Sequence, residues 1–186
     1  TAGVFQLESA GMTALVKALK PTEFQDLTAL LALYRPGPLK ANMHMMYVDR
    51  KHGRAKVEYD HPVLEPILKE SYGIFLYQEQ VMRVAMEMCG FTRGDADVLR
   101  KAMGKKKLDT MNKMKPKFIA GAREKHDIDE GLSAHIWDQI ETFAGYGFNK
   151  SHSAAYAMIT FQTAYLRANY PVYFQAALLT NDEELA

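Results

Sequence analysis

Residues 131–157 read GLSAHIWDQIETFAGYGFNKSHSAAYA, two helical segments joined by a glycine-rich break. Leu132, Ile136, Ile140 and Phe143 recur at i, i+4, i+8 and i+11, one apolar stripe of an amphipathic helix, with Ser133 or the turn at Gly131 as its expected N-cap. Gly145 and Gly147 interrupt the pattern, and a second, long helix is expected from there to about Arg167. Tyr170-Pro171 stops it, and a last helix follows toward Thr180.

The same period extends upstream. Leu15 and Leu19, then Leu27, Leu30, Leu31 and Tyr34, fall at helical steps on either side of Pro21-Thr22, and the run RPGP, Arg35 to Pro38, ends the second of these helices. A less regular stretch follows, with turns expected at His61-Pro62 and Glu65-Pro66. Tyr72 to Tyr77 reads as a short extended segment before a helix from Gln78 to Met88. Asp95 to Met103 is expected to be a short helix with acids at its positive end. The polar run from Gly104 to Phe118 is expected to be an exposed arm, with Pro116 beginning or kinking the helix after it. With neither repeats nor βαβ alternation, the class is mainly α: a multi-helix domain with at most a short extended segment. Three parts are expected, residues 1–92 as an N-terminal helical part, 93–126 as a basic helix and lysine-rich arm, and 127–186 as C-terminal helices.

The chain has 186 residues, 48% of them hydrophobic, enough for a packed core. No apolar run approaches the ~20 residues that span a bilayer, so no membrane association is expected. One cysteine, Cys89, and eleven methionines suit a reducing cytosol. The start at Thr1 rather than methionine suggests a piece of a longer protein. Net charge is +1, but Arg93 to Lys125 holds eleven Lys/Arg against four Asp/Glu, +7, leaving −6 for the remainder. Such a concentration is either a solvated helical face or a surface for a phosphate-bearing partner.

Two constellations carry chemistry. The first is the break itself, GYGFNKSHS, placed where free backbone N–H groups and the macrodipole of a helix favour an anion. Lys150 adds a charge, His152 a donor, Ser151 and Ser153 hydroxyls, and the two glycines allow close approach of a ligand. His152 and Tyr156 share a helix face on which a planar base can stack. The competing reading is a capped helix with Tyr156 in the core and His152 in solvent. The second constellation is DADVLRKAMGKKK, Asp95 to Lys107, in which Asp97 can pair with Arg100 or Lys101 and three lysines follow Gly104. Its competing reading is a salt-bridged helix surface.

GVFQLES (3–9), ALYRPGPL (32–39), YGIFLYQEQVM (72–82), LRKAMGKKK (99–107) and FAGYGFNKSHSAAYA (143–157) together resemble, in order and over nearly the whole chain, the blocks of the bacterial DNA polymerase III alpha-subunit family, family C. The resemblance implies the mostly helical fingers domain, which helps close over the incoming deoxynucleoside triphosphate opposite the template. It implies that Arg100, with Lys101, contacts the triphosphate, that Lys150, His152 and Tyr156 line the nucleotide side, and that Lys105, Lys106 and Lys107 face the DNA backbone. Gln6, Arg35 and Gln78 belong to family motifs to which no contact is assigned. The implied partners are template-primer DNA, deoxynucleoside triphosphates and, through the full-length chain, the sliding clamp and clamp loader, in the bacterial cytoplasm.

Family C polymerases hold two Mg2+ ions on palm aspartates of a PDxDxDF-type motif, and this chain has no such run. Asp95-Ala96-Asp97 reads as helix-terminal acids and Asp127-Ile128-Asp129 as an inter-helix turn. No catalytic residue and no metal or cofactor site is therefore expected in the chain itself, which should fold as a helical monomer and be inactive alone. Two other classes remain open: a stand-alone helical nucleic-acid-binding module, and a purely structural interaction domain.

Overall fold

The computed structural model describes residues 1–181; residues 182–186, the tail of the expected C-terminal part, lie outside the described residues. It is 72% helical, with eleven α-helices and no strand among the described residues. The chain divides into two compact units, one made of residues 1–34 with 151 onward, the other of residues 35–150.

The first unit holds α1 (Ala10–Leu19) and α2 (Phe24–Leu33), together with most of α10 (Lys150–Asn169) and all of α11 (Pro171–Asn181). Ser9 caps α1, its hydroxyl accepting from the Met12 N–H at 3.2 Å, and Lys20 ends it in the left-handed region. Asp26 opens α2 by accepting from the N–H groups of Thr22 (2.8 Å) and Glu23 (3.1 Å). Side-chain hydroxyls tie α10 to this unit. The buried Ser153 hydroxyl donates to the Thr28 carbonyl at 2.5 Å, and Thr160 donates to the Phe5 carbonyl at 3.1 Å.

The second unit contains α3 (Pro36–Lys40), α4 (Met43–Lys51), α5 (Glu65–Leu68) between two single 3-10 turns, α6 (Gln78–Glu87), α7 (Arg93–Gly104), α8 (Leu108–His126) and α9 (Glu130–Ala144). Its core gathers Val81, Val84 and Met88 from α6 and the residue after it, Leu99 and Met103 from α7, Met111 and Phe118 from α8, and Ile136, Trp137 and Ile140 from α9. Phe118 packs edge-on against Trp137 with ring centroids 5.1 Å apart.

Four local readings change. RPGP ends α2 at Leu33 but also begins α3, because Pro36 occupies a first-turn position whose N–H needs no partner. The prolines at 62 and 66 likewise start helical turns, and α4 occupies part of the stretch expected to be irregular. Gly104 to Phe118 is a tight turn at Lys105–Lys107 followed by the first half of α8, which begins at Leu108 and holds Pro116 in its interior, with Met111 and Phe118 buried in the core on either side. Finally, Asp129 is the N-cap of α9, accepting from the Leu132 N–H at 2.9 Å, while Ser133 is buried and donates to the Asp129 carbonyl. The extended run before α6 ends in one parallel bridge, Tyr77 to Phe148.

Candidate functional site

The break between α9 and α10 is a short strap, Tyr146 to Lys150, held by side chains far away in sequence. The N–H of Gln78 donates to the Phe148 carbonyl at 2.9 Å, and the Gln78 side-chain amide reaches the Gly147 carbonyl at 3.4 Å. Arg35 donates to the Tyr146 carbonyl at 2.8 Å and lays its guanidinium 4.2 Å from the centre of the Phe148 ring. The family-motif residues Arg35 and Gln78 thus have a physical task, fixing the strap's backbone. Gln6, in the first unit, is exposed at a φ of 64°. Gly147 has a packing reason within the chain, since a Cβ there would lie 2.8 Å from the Phe143 ring.

The strap delivers Lys150 into a group of acids. Glu79, in the first turn of α6, accepts at one oxygen from the Asn149 amide (2.9 Å) and at the other from the N–H of Lys150, the first residue of α10 (2.9 Å). Its negative charge therefore sits on the positive end of that helix. The Lys150 ammonium ion-pairs with Glu70 at 2.5 Å and lies 5.6 Å from the centre of the Tyr77 ring. Burial raises the Tyr77 phenol well above its ordinary range, and Glu70 and Glu79 add to the rise. Sequence reasoning missed both acids. They stand 80 and 71 positions from Lys150, so no local spacing announces them.

In the first unit, the His152 and Tyr156 rings touch at a tilt of 43° with centroids 4.4 Å apart, and the Phe5 and Tyr156 ring centroids are 5.4 Å apart. Both His152 and Tyr156 are exposed, Tyr156 at 37%. The spacing that predicted a shared face is borne out, and neither ring is a core residue.

On α7, Arg100 and Lys101 both bind Asp97, each at 2.7 Å, so two cations share one carboxylate. Hydrogen bonds from Lys101 and then Arg100 hold the Asp97 carboxyl below its ordinary value. Asp95 forms a capping box with Thr92 and pairs with Lys117 at 2.8 Å. The three lysines after α7 differ: Lys105, Lys106 and Lys107 are all exposed, Lys106 takes a φ of 52°, and none of the three is in an ion pair among the described residues. Among the described residues no three His, Cys, Asp or Glu side chains come together as a metal site, and no helix is long and apolar enough to cross a membrane.

The family of the bacterial DNA polymerase III alpha subunit finger domain matches residues 1–126. Over 183 residues the chain is 55% identical to the DNA polymerase III subunit alpha of Aquifex aeolicus, covering 98% of this chain and 16% of that protein. It is 52% identical over 187 residues to the subunit of the same name in Escherichia coli K12, again covering 98% and 16%. With the Campylobacter jejuni subunit alpha it shares 53% identity over 183 residues, 98% of this chain and 15% of the relative. The chain thus spans about one sixth of the length of these curated relatives.

Proposed function

The chain belongs to the bacterial DNA polymerase III alpha subunit finger domain family, and from that premise we propose that it binds the incoming deoxynucleoside triphosphate and the template-primer for a DNA-directed DNA polymerase. Arg100, Lys101, Lys150, His152 and Tyr156 serve the nucleotide, and Lys105, Lys106 and Lys107 the DNA backbone. The observation that carries the reading is the contrast in charge pairing along one basic segment. Arg100 and Lys101 share the single carboxylate of Asp97, so the trio keeps a net positive charge while both cations are oriented from one side, as suits a small anionic ligand met in a fixed geometry. The adjoining triple-lysine turn is unpaired and solvent-facing, as suits a sequence-independent phosphate contact.

The metal chemistry falls to residues outside this chain: two Mg2+ ions on the palm aspartates of the parent polymerase, with the fingers positioning the nucleotide and neutralising its charge. Clamp and clamp-loader contacts belong to that longer protein, as does its place in the bacterial cytoplasm.

The test is single-nucleotide incorporation by the full-length polymerase, with primer-template affinity measured separately. Arg100→Ala and His152→Ala should each lower kcat/KM roughly ten- to a hundredfold, the loss of one charge-assisted hydrogen bond, while DNA affinity stays near wild type. Variants that lose DNA binding with an unchanged nucleotide KM would turn the reading into a DNA contact. A second reading, a helical nucleic-acid-binding module, draws on the same triple-lysine turn; it predicts that Arg100 and His152 matter no more than any other surface charge.

A further inference from the structure

The strap places one mobile cation between two carboxylates of unequal standing. Glu79 uses both of its oxygens, one on the Asn149 amide and one on the Lys150 backbone N–H, and stands on the first turn of α6. It is built into the backbone geometry of the strap. Glu70 sits in a 3-10 turn and makes a single ion pair, to the tip of the Lys150 side chain. Four methylenes separate that tip from the backbone, so the ammonium can leave Glu70 without disturbing what Glu79 holds. The pair is also reachable: the Lys150 side chain is 39% and the Glu70 side chain 26% exposed.

The charges add up to a problem for an anionic ligand. Glu70 and Glu79 cancel the charges of Lys150 and of Arg35, which holds the same strap, so a polyphosphate approaching this end of α10 meets no net attraction although two cations stand there. The conflict disappears if phosphate oxygens take over the ammonium from Glu70.

We propose that Glu70 is the internal counter-ion of Lys150, a carboxylate that pairs with the ammonium and must be displaced by the polyphosphate of a bound nucleotide. Glu70 thereby sets nucleotide affinity without touching the nucleotide. It is a positioning residue: it holds Lys150 over Tyr77 and weakens nucleotide binding by the free energy of the pair that is broken. The inference rests on the proposed nucleotide role of Lys150.

The experiment uses the full-length alpha subunit that carries this chain, on a dideoxy-terminated primer-template, with the deoxynucleoside triphosphate Kd as readout and thermal midpoints as a control. Glu70→Gln removes the competing charge and keeps the shape; it should tighten nucleotide binding about two- to fivefold, the range expected for a partly exposed ion pair. Glu70→Asp keeps the charge and should stay close to wild type. Lys150→Ala should weaken binding, and Glu70→Gln added to Lys150→Ala should change nothing more, because the competitor then has nothing to compete for. The sign discriminates, since a merely structural Glu70 would give weaker nucleotide and DNA binding together with a lower midpoint. Unchanged or weakened nucleotide binding by Glu70→Gln, with Lys150→Ala still defective, overturns the counter-ion role and leaves the nucleotide reading standing. Lys150→Ala with a wild-type Kd overturns both.

Discussion

Lys105, Lys106 and Lys107 stand apart from basic neighbours that are engaged: Lys101 with Asp97, Lys115 with Asp138 and Lys117 with Asp95. An exposed lysine outside any ion pair meets a phosphate by releasing only the phosphate's counterion. Replacing the three by alanine in the full-length polymerase should therefore weaken primer-template binding alike for all sequences, and the salt dependence should become shallower by about 0.9 for each phosphate no longer neutralised. Fluorescence anisotropy at several salt concentrations measures the slope; an unchanged slope would make the three simple solvated charge. The cationic side of the candidate site is legible in the sequence because lysine and arginine cluster within a few positions, at 100–107 and at 150. Its anionic side is not. Glu70 and Glu79 resemble any other surface acids until the fold brings α6 and the turn before it up to the strap.

The start of α7 is built from a reciprocal pair: Thr92 accepts from the Asp95 N–H at 3.1 Å, and the Asp95 carboxylate accepts from the Thr92 N–H at 3.1 Å. Hydrogen bonds from Lys117, then from the Thr92 hydroxyl and N–H, lower the Asp95 pKa from the ordinary 3.8 to about 2. A depressed folded-state value means that the helix start gains stability once Asp95 is ionised, in full above about pH 4, and loses it as the pH falls through about 2. The midpoint difference between wild type and Asp95→Asn should accordingly shrink across that window, as followed by circular dichroism; a constant difference would show that the charge contributes nothing. Helices whose apolar period is carried by large aliphatic residues, such as α9 with Leu132, Ile136 and Ile140, are legible from periodicity alone. The short α4 is not. Its MHMMYVDRK contributes only Met43, Tyr47 and Val48 to the interior, and it is entered through Asn42 at a φ of 55°, a conformation set by the surrounding fold.

At the scale of the whole molecule, polarity is unevenly distributed. In the first unit α10 and α11 expose Phe161 (49%), Tyr165 (51%) and Tyr173 (76%), the first two with ring centroids 6.4 Å apart. For the isolated chain the sequence-based expectation is a monomer, and that surface is where it can be tested. Sedimentation velocity should show a single monomeric species, unchanged by Phe161→Lys, Tyr165→Lys and Tyr173→Lys made together; self-association that the triple variant abolishes, with little change in thermal midpoint, would overturn the expectation. The second unit buries most of its aromatic side chains instead. Trp137, the one tryptophan of the chain, is fully buried against Phe118, and the first unit has none. Ultraviolet emission excited at the indole band therefore reports on residues 35–150 alone, an intrinsic optical label that separates the melting of one unit from the loss of helix in the other without any dye or substitution.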